Sequence, residues 1–69
     1  MRIRYDPSVD ALYIRLREGP IEESDEVAEG IILDYDKDMN AMAIEILDAS
    51  QVLGGREMRV ELTLAEGKK

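Results

Sequence analysis

Apolar and polar side chains alternate at every second position along most of this chain, and that period commits it to β-strands. Ile3 and Tyr5 alternate with Arg2 and Arg4. Leu12, Ile14 and Leu16 alternate with Tyr13, Arg15 and Arg17. Ile31, Leu33 and Tyr35 share one side of a third segment, with Ile32, Asp34 and Asp36 on the other. Met42, Ile44 and Ile46 do the same against Ala43, Glu45 and Leu47. A last alternating run sets Met58, Val60, Leu62 and Leu64 against Arg59, Glu61 and Thr63. Successive strand side chains point to opposite faces, so each run offers one face to a core and one to water.

The connections carry turn chemistry. Asp6-Pro7-Ser8-Val9-Asp10 joins the first two runs: Pro7 presets φ, and the Asp6 carboxylate suits a backbone N–H two residues on. Lys37-Asp38-Met39-Asn40 joins the third and fourth, with Asn40 the residue best suited to positive φ. Residues 18 to 29 hold Gly19-Pro20 and many acids, with Ile21 and Val27 the large apolar side chains. They read as a loop leading into an exposed extension of the next strand. Asp48-Ala49-Ser50-Gln51 reads as a helix start, with Asp48 as cap and Gln51 reaching back. Gly54-Gly55 ends that helix, so Val52 and Leu53 are expected to pack on the sheet. The expected fold is α+β: an antiparallel sheet of four to five strands built from two hairpins, with one short helix packed on one face. Residues 1–69 form one domain.

A chain of 69 residues buries little core, and small domains lean on disulfides, metals or association. Cysteine and histidine are both missing, so thiolate and imidazole chemistry is ruled out. Association is left as the way to add core, and a homo-oligomer is expected. The net charge of −7 repels phosphate backbones, so nucleic acid is not an expected partner, whereas a small basic protein is a possible one. The first residues lack the apolar stretch of a signal peptide, and no apolar run reaches the ~20 residues of a membrane helix. A cytoplasmic location without membrane contact is expected.

Several strings resemble the YuzE-like family of short prokaryotic proteins (domain of unknown function 2283). Tyr5-Asp6-Pro7 and Asp10-Ala11-Leu12-Tyr13-Ile14 carry the opening. Glu29-Gly30-Ile31-Ile32-Leu33-Asp34-Tyr35-Asp36 and Ile44-Glu45-Ile46-Leu47-Asp48-Ala49-Ser50 continue it. The resemblance implies a small α+β fold without an established activity, and kinship with proteins suspected to be antitoxin-like. Where the family has glycine in the second hairpin turn, this chain has Met39-Asn40-Ala41, which predicts a longer or bulged hairpin.

Asp34, Asp36 and Asp38 fall at positions one, three and five of a calcium-loop spacing, and Glu45 falls at twelve. Position six is Met39 rather than glycine and the flanks are strand-patterned, so solvated hairpin carboxylates are the plainer reading. A divalent-metal-binding or hydrolytic domain using the Asp34 to Glu45 carboxylates is the alternative function. No catalytic residue and no cofactor is assigned, because a chain this short has little room for a concave pocket, and enzyme activity is not expected. Arg2, Arg4, Arg15 and Arg17 predict an arginine ladder on one sheet face, paired across strands with the abundant acids. Tyr13, opposite Leu12, Ile14 and Leu16, is the tyrosine expected to face outward. Tyr13 and the final alternating residues Met58, Val60, Leu62 and Leu64 are the candidate partner-binding residues. The leading expectation is a protein-interaction module working as a homodimer.

Overall fold

The computed structural model describes residues 1–55 and 57–67. Five strands, β1 (Arg2–Asp6), β2 (Ala11–Arg15), β3 (Glu23–Ala28), β4 (Ile31–Tyr35) and β5 (Ala41–Ile46), precede one short helix, α1 (Ala49–Val52). They form a single antiparallel sheet in the order β1-β2-β5-β4-β3, so the architecture is α+β. The sheet is assembled from the hairpin β1-β2 and the meander β3-β4-β5, joined where β2 pairs β5. The expected pairings β1-β2 and β4-β5 are both present, and β3 is added beside β4.

The difference lies in which segment supplies the fifth strand. Glu23–Ala28 pairs back along β4 instead of extending it. The final alternating run takes no regular structure over residues 57–67. A strand needs a free edge as well as an alternating pattern, and the place beside β4 is taken by β3. Strand β3 lacks an alternating signature because all six of its residues are exposed.

The Asp6 carboxylate accepts the Ser8 N–H at 3.0 Å and the Ser8 hydroxyl at 2.7 Å, closing the first turn. In the second turn positive φ falls on Met39 (φ 67°), not on Asn40. Asn40 instead donates its backbone N–H and its side-chain amide to Asp36, at 2.8 and 3.0 Å. The β4–β5 register slips between Asp34 and Tyr35, the irregularity expected of a hairpin without the turn glycine.

The core is small and lies on one face of the sheet, where Leu12, Ile46 and Ala49 are buried together with Ile14, Ile44 and Met58 around them. The helix contributes Ala49, while Val52 and Leu53 stay 39% and 49% exposed, contrary to the expected packing. Asp48 is left-handed (φ 49°) and makes no side-chain cap. Asp10 takes that role from the β1–β2 turn. Its carbonyl accepts the Ala49 N–H at 2.8 Å, and its carboxylate accepts the Ser50 hydroxyl at 2.7 Å and the Ser50 N–H at 3.1 Å. Four helical residues cannot hold themselves together, so this long-range cap fixes the helix to the sheet.

Candidate functional site

Register decides what each sheet face offers. Directly opposed residues of an antiparallel pair lie on the same face, so Ile3, Ile14, Ile44 and Leu33 form one apolar cross-strand row. Tyr5, Leu12, Ile46 and Ile31 form the next. The opposite face carries Arg2, Arg15, Ala43, Asp34 and Ser24 in one row, and Arg4, Tyr13, Glu45, Ile32 and Glu26 in the other.

Polarity on that second face runs from basic to acidic. Arg2 meets Glu18 at 3.2 Å. Arg15 donates to the Tyr13 hydroxyl at 2.9 Å, to the Arg17 carbonyl at 2.7 Å and to the Gly19 carbonyl. That hydroxyl contact is the main reason the Arg15 guanidinium holds its proton even more firmly than usual. The arginines therefore sit on one face as expected, but Arg15 is spent on neutral oxygens rather than on a cross-strand acid. Tyr13 lies on this face, away from Leu12 and Ile14, and is half-buried rather than outward-facing. With Arg2, Ile3 and Arg4 it lines a shallow, open concavity.

At the other end of the row stands the most unusual group in the chain. Asp34 is 1% exposed, opposite the fully buried Ala43 on a face whose other residues are half-buried or exposed. One carboxylate oxygen accepts the Ser24 hydroxyl from β3. The other, Oδ2, has no donor among the neutral and cationic groups around it. A buried acceptor without a donor is costly. The available neighbour is Glu45, one diagonal step away on β5 because Asp34 opposes Ala43. Hydrogen bonding to Asp34, then burial, then the charge of Asp34 all hold the Glu45 carboxyl protonated above its ordinary range. Ser24 of β3 and Asp34 of β4 are thus joined by a hydrogen bond, with Glu45 of β5 beside them.

The acids of the calcium-like spacing part company. Asp34 goes to this buried pair, whereas Asp36 turns into the β4–β5 connection and accepts the N–H groups of Asp38 and Asn40. Those bonds, led by the Asn40 side chain, hold the Asp36 carboxyl below its usual range. Among the described residues no group of three or more His, Cys, Asp or Glu gathers in a metal-binding arrangement. No helix among them is long and apolar enough to cross a membrane. Of the candidate partner-binding residues, Met58 reaches the core, while Val60, Leu62 and Leu64 are 66%, 89% and 93% exposed. Sequence reasoning missed Asp10 and the Asp34–Glu45–Ser24 cluster. An acid placed among the apolar residues of a strand pattern was the signal available for Asp34.

Fold and surfaces together define a small α+β protein built as one antiparallel sheet, with an apolar face, a polar face and a buried aspartate. The chain belongs to the family described as protein of unknown function (DUF2283), whose model matches residues 2–50, 49 of the 69. Comparison with curated proteins gives no match, and neither does comparison with solved structures.

Proposed function

We propose that this protein is a non-enzymatic, cytoplasmic interaction module that works as a homodimer joined through the apolar face of its sheet. One observation carries the reading: the apolar face has almost no second layer. A sheet with one apolar face is stable when another layer covers it, and here the cover amounts to Ala49 of α1 and Met58. Ile3 and Tyr5 remain 45% and 37% exposed. A second copy supplies a matching face through a twofold axis without any further chain, and it adds the core that so short a sequence lacks.

The non-enzymatic part of this reading is supported by the burial of Asp34, which keeps that carboxylate from a substrate. A second reading, an antitoxin-like one, is favoured by β3, a free edge carrying Glu23, Asp25 and Glu26, to which a basic partner could add a strand. Sedimentation equilibrium, paired with urea denaturation at two protein concentrations, tests the homodimer. A two-chain mass and a midpoint that rises with concentration are expected. A one-chain mass with a fixed midpoint defeats it.

A further inference from the structure

We infer that the C-terminal segment Arg59–Leu64 of one chain pairs antiparallel along the free β1 edge of a second copy, with Val60 opposite Tyr5 and Leu62 opposite Ile3. The inference rests on the self-association proposed above and names how it is completed.

Two edges of the sheet are free, β1 and β3. An incoming strand with one apolar and one polar side needs an edge of the same pattern. Strand β3 does not provide it. Glu23 opposes Tyr35 and Asp25 opposes Leu33, which puts acids on the apolar face at that edge. Strand β1 does provide it, with Ile3 and Tyr5 on the apolar face and Arg2, Arg4 and Asp6 on the other.

Charge then selects the register. With Tyr5 opposite Val60, Arg4 meets Glu61 and Asp6 meets Arg59, two opposite-charge pairs, while Arg2 meets Thr63. Sliding the segment two residues one way sets Asp6 against Glu61. Sliding it two residues the other way sets Arg4 against Arg59 and Asp6 against Glu57. A slide of one residue turns the apolar side chains to the polar face. A parallel arrangement with Ile3 beside Met58 sets Arg4 against Arg59. Like charges directly opposed are unfavourable; a parallel alignment of Ile3 with Leu62 avoids them but forms one opposite-charge pair, Arg2 with Glu61, against the two of the antiparallel register.

The receiving chain is a second copy because the segment leaves its own β1 edge open. Val60, Leu62 and Leu64 lie exposed, and Arg4 makes no ion pair among the described residues. Met58 stays beside Leu12 and Ile46 of its own chain, so the exchanged strand begins at Arg59.

The test uses the full-length chain and sedimentation velocity over a dilution series, with far-UV circular dichroism to confirm folding. Arg4→Glu and Glu61→Arg should each weaken the dimer several-fold, and the combined variant should restore it. Val60→Asp together with Leu62→Asp should raise its dissociation constant by about tenfold or more. The chain has no cysteine, so Ile3→Cys chains mixed with Leu62→Cys chains should also give a mixed disulfide. A native dimer whose dissociation constant stays within about twofold in every variant overturns the strand exchange and leaves the face-to-face dimer standing. A native chain that is monomeric at every concentration removes the dimer itself.

Discussion

Asp34 sets the pH behaviour of this protein through Glu45. The folded-state value of Glu45 is raised above its ordinary one. Its contribution is therefore fully present below the unfolded value of about 4.5, and is lost as pH rises through the folded value. Asp6 and Asp36 are lowered by their turn hydrogen bonds, so their contributions are lost on the acid side instead. Glu45→Gln supplies an amide N–H to Asp34 Oδ2 at every pH. It should flatten the decline above about pH 4.5 and stabilise the neutral protein by roughly 1 kcal/mol, since screening at the half-open Glu45 limits the gain. Urea denaturation from that pH upward checks it; an unchanged slope denies the coupling of Glu45 to Asp34. Asp10 is the other decisive residue. It accepts from Tyr5 at 2.7 Å as well as from Ser50, joining β1, the first turn and α1. Asp10→Ala should cost about 2 kcal/mol, a fall of roughly 10 °C in melting temperature. Scanning calorimetry reads it directly, and a shift within error would mean the helix is held by packing alone.

At the level of elements, β2, β4 and β5 were legible because each lays one apolar side on a core, and burial writes period two into a sequence; β1 carries the same alternation although all five of its residues are exposed. Strand β3 left no such mark, since Glu23–Ala28 buries neither face. It is held by backbone pairing to β4 and by one hydroxyl reaching Asp34. The C-terminal run has the same strand-like pattern but takes no regular structure over residues 57–67, although the β1 edge is free. Helix α1 was placed correctly in sequence but given the wrong anchor. Asp48 had the right chemistry for a cap, yet the group that serves is 40 residues distant, and local spacing cannot reveal a partner so remote. The acids of the calcium-like spacing were separated by the pleat and by the turn, neither of which a spacing rule records. If β3 depends on Ser24, then Ser24→Ala should cost about 1–3 kcal/mol by removing a donor from a buried carboxylate. The loss should fall locally. Amide hydrogen exchange in β3 should speed up well before exchange in β2 or β5, as expected of an edge strand with low opening energy. Uniform acceleration over all strands would place Ser24 in the global core instead.

For the whole molecule, charge and apolar area pull association in opposite directions, and salt separates them. Each chain carries a net charge of −7, so two copies repel over a Debye length of about 10 Å at 0.1 M salt. The edges repeat the conflict locally. Two β1 edges would bring Arg2 and Arg4 against their own kind, and two β3 edges would oppose Glu23, Asp25 and Glu26, so each edge resists pairing with itself. Association through the apolar face has to overcome this repulsion, and the exposed pairs of Arg4 with Glu61 and Asp6 with Arg59 return little of it. Raising salt from about 20 mM to about 500 mM should therefore tighten the homodimer several-fold, because screened self-repulsion outweighs two screened surface pairs. A basic partner held on the acidic β3 edge would respond oppositely, its affinity falling over the same range. Light scattering at fixed protein concentration distinguishes them. Growth of the two-chain species with salt supports assembly driven by the apolar face, and its dissociation would show that complementary charge holds the chains together.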